Sequence, residues 1–223
     1  MQCLQLTRGG QLGYTRLEYI QSSGTQYIDT GFVPNQDTRV YAEVEFATAS
    51  STAALFGSRQ SSSARQFQFV TSGWYYRTDY NTTVVNLTNA SISGKFYVDK
   101  NKNVTDLNGA YSNTHTYASF TCPGNMYIFA TNNNGSVYAI STAKLYSMQI
   151  YDNGTLIRDY WPCYDPDGVA CLYDKVEKKY YHNAGTGEFI AGGAAACVYF
   201  LQGEANVSGH AVSAFNPNKG VTR

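Results

Sequence analysis

Apolar and polar residues alternate with a period of two along much of the chain, and helical periodicity is nearly absent. Across residues 39–46, Val40, Ala42, Val44 and Phe46 fall on one side and Arg39, Tyr41, Glu43 and Glu45 on the other, which predicts a half-buried strand. Further strands are expected over 53–57, 66–70, 74–78, 83–87, 95–99, 116–120 and 126–131. They end near turn formers: Ser93-Gly94, Asn108-Gly109, Asn134-Gly135 and Asp152-Asn153-Gly154. Asn and Gly adopt positive φ at low cost, which tight hairpins require.

The best-defined hairpin runs over 144–162, where Leu145 to Tyr151 leads into Asp152-Asn153-Gly154 and returns as Thr155 to Trp161. Two shorter strands are expected at 170–174 and 179–182. Short strands at spacings of roughly ten residues, with no crossover helices, predict an all-β fold of two layered antiparallel sheets. The flanks differ in texture. Residues 1–13 and 193–223 are Gly- and Ala-rich without steady alternation, and are expected to be arms or peripheral strands around a single domain at 14–192.

Composition narrows the functional classes. The chain has 223 residues, 16 basic against 16 acidic, so no general electrostatic pull toward nucleic acid or acidic membranes is expected. Twenty Tyr and eleven Phe beside only 14% charged residues predict a surface clad in Tyr, Asn, Ser and Thr. The start, MQCLQLTRGG, lacks the apolar core of a signal peptide, and the apolar run at 194–201 is too short to span a bilayer. Synthesis in a cytoplasm, without membrane insertion, is the expectation. Five cysteines, Cys3, Cys122, Cys163, Cys171 and Cys197, show no zinc-knuckle spacing. Only Cys163 and Cys171, around the turn Asp165-Pro166-Asp167-Gly168, are close enough along the chain to bridge adjacent strands.

Catalytic chemistry is sparse. Glu43 and Glu45, two apart on a strand, place their carboxylates about 7 Å apart, a separation that overlaps glycosidase geometry, although a solvated strand face is the simpler reading. There is no Gly-x-Ser-x-Gly elbow, and His115, His182 and His210 stand in no triad context. Gly185-Thr186-Gly187 lacks the rest of a nucleotide-binding loop. Sugar recognition needs flat aromatic faces flanked by hydrogen-bonding groups. Trp74, Tyr75, Tyr76, Arg77 and Asp79 supply that mixture in one stretch, and Asn132, Asn133, Asn134 with Tyr138 supply another.

Leu17-Glu18-Tyr19-Ile20-Gln21-Ser22-Ser23-Gly24-Thr25-Gln26-Tyr27-Ile28-Asp29-Thr30-Gly31, then Gly124-Asn125-Met126-Tyr127-Ile128-Phe129-Ala130, and then Arg158-Asp159-Tyr160-Trp161-Pro162-Cys163 with Asp167 to Asp174 and Tyr181-His182-Asn183, recur in a characteristic order. This order resembles the concanavalin A-like, laminin-G-like domains of bacteriophage and gut-bacterial surface proteins. The resemblance implies a jelly-roll sandwich, frequently non-catalytic, used for sugar binding or as a structural module. Glucanases of that fold carry Glu-x-Asp-x-x-Glu; here Glu45 and Thr48 follow Glu43, so the third acid is missing. No cofactor is expected. Calcium at loop tips, as in related lectins, is the alternative, with Asp165 and Asp167, Asp152 and Asn153, or Asn132, Asn133 and Asn134 as donors.

The expectation is therefore a non-catalytic, virion-associated adhesion module, a homo-oligomer or multicopy on a particle, that binds host surface glycans. The alternative is a capsid or tail decoration protein whose arms contact other virion structural proteins. A glycoside hydrolase is the third reading.

Overall fold

The computed structural model describes residues 4–6, 12–46, 52–61, 64–73, 75–88 and 94–195. Among them there is no helix, so none is long and apolar enough to cross a membrane. The strands form two sheets packed face to face as a sandwich.

In the larger sheet the strand order is Leu4–Leu6, Leu12–Arg16, Thr155–Tyr164, Lys144–Asp152, Thr38–Glu45, Phe96–Asn101, Val104–Leu107 and Tyr111–Thr114. Ala170–Asp174 and Lys179–Tyr181 extend it from the Thr155–Tyr164 strand. The smaller sheet runs Ser136–Tyr138, Thr131–Asn133, Ala53–Arg59, Gln66–Ser72, Tyr75–Asn81 and Thr83–Leu87.

Alternation decides which residues fill the interior. Val40, Ala42 and Val44 are fully buried while their chain neighbours stay partly exposed, and Phe96, Val98, Met148 and Ile150 join them from flanking strands. The smaller sheet answers with Phe56, Phe67, Phe69 and Tyr76, and Phe69 stacks on Tyr76 with ring centroids 5.7 Å apart. Tight turns fall where Asn-Gly pairs predict them: Asn108 and Gly109 have φ of 56° and 68°, and Asn153 and Gly154 have φ of 46° and 81°.

Several expectations are corrected. Residues 116–120 form no strand. Their backbone is satisfied from elsewhere: Phe120 receives the Gln36 N–H on its carbonyl and donates its own N–H to Gln36 Oε1, and Ala118 O accepts from the Tyr80 hydroxyl. Residues 126–131 are two pieces, Tyr127–Ile128 and Thr131–Asn133, because Phe129 turns the chain at φ 66°. The second piece pairs in parallel with Ala53–Arg59, so the smaller sheet is not purely antiparallel. The strand expected at 74–78 is Tyr75–Asn81, and Trp74 lies outside the described residues. Cys163 and Cys171, by contrast, keep the ordinary reading of buried thiols: they face each other across paired strands as free cysteines.

The two flanks differ. Leu4–Leu6 and Leu12–Arg16 pair with each other, and the latter joins the Thr155–Tyr164 strand at Cys163 and Tyr164. Beyond Ala195, which donates its N–H to Arg16 O, the expected carboxy-terminal arm lies outside the described residues.

Candidate functional site

With Val40, Ala42 and Val44 turned into the core, Tyr41 and Glu43 project from the outer side of the larger sheet. Register carries that side across neighbouring strands: Tyr41 pairs with Asp99 on one flank and Gln149 on the other, and Gln149 pairs with Asp159. A bulge between the paired residues Leu145 and Ser147 adds Tyr146 to the same side while Leu145 stays in the core. Tyr41, Glu43, Lys95, Tyr146, Gln149 and Trp161 are among the residues that line an open groove of about 440 Å³.

Its aromatic walls are braced. Tyr41 stacks on Tyr97 at 5.5 Å, Lys95 Nζ lies 4.3 Å from the Tyr146 ring centre, and the Arg16 guanidinium lies 3.2 Å from that of Trp161. Two of its carboxylates, Glu43 and Asp159, are engaged. Glu43 pairs with Lys95 at 2.9 Å, and Asp159 pairs with Lys175 at 2.9 Å while accepting from Trp161 Nε1 at 3.1 Å. Beside the groove, Glu45 accepts from the Tyr146 hydroxyl at 2.8 Å and from Lys144 at 3.1 Å. Those two bonds hold the Glu45 carboxyl below its usual range, while burial and that same contact with Glu45 push the Tyr146 hydroxyl up. A glycosidase acid is instead a carboxyl raised by its surroundings.

Trp74 lies outside the described residues; the other residues singled out from the sequence lie on the smaller sheet or, for Asn134, on a turn of it. One row across its outer side reads Tyr138, Thr131, Gly57, Gln68, Asp79 and Val84, so the two candidate stretches share one side of that sheet, buried from Thr131 to Asp79. Tyr76 belongs to the core, 6% exposed, whereas Tyr75 and Arg77 are half-buried on the other side of that strand. Asp79 is fully buried, paired with Arg77 at 3.1 Å and hydrogen-bonded by Gln68 Nε2; burial raises its pKa against the pull of Arg77. Tyr138 is 43% exposed, with the Arg59 guanidinium 4.3 Å from its ring centre, and Arg59 Nε donates to Asn133 Oδ1 at 3.1 Å. Asn134 is an exposed turn residue at φ 52°.

Three of the loop oxygens considered for calcium already accept hydrogen bonds, two from backbone N–H groups and one from a side chain. Asn132 Oδ1 accepts from Gly135 N, Asp152 Oδ1 from Asn35 Nδ2, and Asp165 Oδ1 from the N–H groups of Asp167 and Val169.

From the sequence alone Tyr146 and Trp161 read as scaffold and Glu43 as a solvated strand face. The available signal was the aromatic character of the outward positions on both strands; the register that joins them comes from residues about a hundred positions apart.

Fold and groove together define a two-sheet β-sandwich with an aromatic and polar cleft on one outer face. No protein-family model matches the chain, and no curated protein matches it.

Proposed function

We propose that this protein is a non-catalytic adhesion module of a phage or phage-like particle, with a concanavalin A-like jelly roll, and that the groove on the larger sheet receives host surface glycans. The observation that carries this reading is the groove's composition. Tyr41 and Tyr146 supply apolar ring surface beside the cation-covered Trp161, and Gln149 and Ser147 supply hydrogen-bonding groups for hydroxyls. The paired carboxylates Glu43 and Asp159 act as fixed acceptors, and the depressed Glu45 is unsuited to donate a proton. Each site binds weakly, and many copies on one particle multiply the attachment.

The test is a glycan array probed with the protein in multimeric form, followed by titration of any hit against Tyr41→Ala and Tyr146→Ala. Binding that both variants weaken supports the reading. Binding that neither changes removes the groove from it, and turnover of a polysaccharide replaces it with a hydrolase.

A second reading, decoration of a capsid or tail, draws on one observation: Leu4–Leu6 is the outermost strand of the larger sheet, an edge suited to pairing with a neighbouring subunit. Deletion of residues 1–13 then abolishes incorporation into particles while the domain stays folded.

A further inference from the structure

The end of the hairpin partner Thr155–Tyr164 carries a group of side chains unconnected with the groove's chemistry. Cys163 and Cys171 are cross-strand partners, both fully buried, and their sulfurs lie 3.6 Å apart. They pack with Tyr173 and Tyr180 in a cluster separate from the main core. Asp165 follows Cys163 on the turn between the two strands, and His182 follows the last strand, Lys179–Tyr181. His182 Nε2 meets Asp165 Oδ2 at 2.8 Å, and donor atoms of Asp165, Cys171 and His182 all lie within 4.8 Å of one another; Cys163 stands outside that group and adjoins it through Cys171, so its side chain must turn inward to complete a four-ligand set. Among the described residues this is the one such group of three or more His, Cys, Asp and Glu.

We propose that Cys163, Cys171, Asp165 and His182 form a binding site for a thiophilic divalent metal, Zn²⁺ in the first instance. Two thiolates, an imidazole and a carboxylate are a donor set that zinc accepts in tetrahedral geometry. With Zn–S bonds of about 2.3 Å, a tetrahedral ion holds two sulfurs roughly 3.8 Å apart, close to the spacing already present.

The carboxylate is oriented for the task. Asp165 Oδ1 is fixed by the N–H groups of Asp167 at 3.0 Å and Val169 at 2.8 Å, which leaves Oδ2 directed at His182. Burial raises the Asp165 pKa, but the contacts with His182 and these N–H groups outweigh it, so the carboxyl is held below its usual range and is ionised at neutral pH. The neighbouring thiol and burial push the Cys163 thiol up; a bound dication reverses this, and the two thiol protons leave as the metal enters. His182 is exposed and also lines a cleft of about 480 Å³ shared with Asp29, Arg158 and Glu177. The bound ion would tie the last strand and the Asp165 turn to the cysteine pair.

Reduced full-length protein titrated with Co²⁺ in place of zinc tests this. The expected result is one cobalt per chain, with the visible absorption of a tetrahedral site and a thiolate-to-cobalt band in the near ultraviolet, displaced by Zn²⁺. Cys171→Ser removes the thiolate band or shifts it strongly, and the exposed substitution His182→Ala weakens cobalt binding by about tenfold or more, both with an unchanged far-ultraviolet dichroism spectrum. Cobalt that keeps the spectrum of the hydrated ion overturns the proposal. So does a tetrahedral spectrum that His182→Ala and Cys171→Ser both leave intact.

Discussion

Lys100 Nζ donates to Thr78 Oγ1 at 2.7 Å inside the sandwich, where the lysine is entirely removed from water. Its surroundings are the rings of Phe67 and Tyr80, at 4.7 and 5.9 Å, and the Thr78 hydroxyl that also contacts Thr105 at 2.8 Å. The titratable groups that bear on it are Asp79, Cys122, His115 and Tyr80. Burial pulls its pKa from 10.5 down to about 7, with Asp79 opposing.

A base whose pKa falls on folding binds fewer protons when folded, so stability rises with pH between about 7 and 10.5 and sits at its lower plateau below 7. The full span is worth about 5 kcal/mol. Tyr80, raised by burial to about 12, begins to oppose the rise above pH 10. Lys100→Met keeps the stem's volume and leaves Thr78 paired with Thr105. Urea unfolding at pH 6.5 and 9.5 should show the natural protein more stable at the higher pH. The Met variant should be more stable than the natural protein at pH 6.5, by a few kcal/mol, and nearly flat between the two.

Acid acts through a different residue. His115 is 3% exposed, its Nδ1 lies 2.7 Å from Thr83 Oγ1, and its Nε2 is buried without a partner. Burial, then the nearby Lys100, lowers its pKa from 6.5 to about 4. The unfolded chain therefore takes up a proton first as pH falls, and stability present above pH 6.5 is lost progressively toward pH 4, by about 3 kcal/mol. His115→Gln should flatten that part of the urea-midpoint profile. An unaltered slope between pH 6.5 and 4 would assign the acid sensitivity to carboxylates instead.

Asp174 holds the base of the Ala170–Asp174 strand through two acceptor bonds on one oxygen. Its Oδ1 receives the N–H groups of Asp159 at 2.9 Å and Val176 at 3.0 Å, while Oδ2 faces Arg158 at 3.6 Å. Arg158 has a second partner in Glu177 at 2.7 Å. Asp174→Ala leaves buried donors unmet and should cost about 3–5 kcal/mol. Asp174→Asn keeps the Oδ1 acceptor and should cost about 1–2 kcal/mol. Equal losses in thermal unfolding would mean that the charge, not the two backbone bonds, matters at this position.

How far these features are legible beforehand depends on whether one side of a strand is wet. Thr38–Glu45 is read correctly because its outer positions stay partly exposed, and alternation survives in the residue types. The same parity places Lys100 on the inner side with Phe96 and Val98, a signal present in the chain but contrary to the ordinary habit of lysine. Ala53–Arg59 is buried on both sides, so its pattern carries no direction, and Ser58 and Arg59 extend it beyond the 53–57 that the residue types predict. Residues 116–120 alternate well enough to pass for a strand, but side chains of Gln36 and Tyr80 take part of the place of a ladder. The groove was illegible for a geometric reason: Tyr41 and Tyr146 become neighbours only through a register that includes a bulge.

Gly57 shows how tightly the smaller sheet's outer side is drawn together. A Cβ at this position would stand 2.6 Å from Gln68 Cβ and 2.7 Å from Thr131 Oγ1, the two residues that pair with it on either flank. Thr131 donates to Gln68 Oε1 at 2.9 Å across that space, and Gln68 in turn donates to the buried Asp79. Neither neighbour is the free end of a flexible side chain, so Gly57→Ala must move a strand or break the chain of bonds that reaches Asp79. A loss of about 1–3 kcal/mol is expected, or roughly 2–9 °C in thermal midpoint for a domain of this size. Gly154→Ala offers the contrast. Its φ of 81° disfavours any side chain, yet nothing lies within 4 Å, so only the backbone cost applies, on the order of 1 kcal/mol. Differential scanning calorimetry of the two variants should rank Gly57→Ala as the more damaging; the reverse order would mean that the smaller sheet yields at Gly57 more easily than its contacts allow.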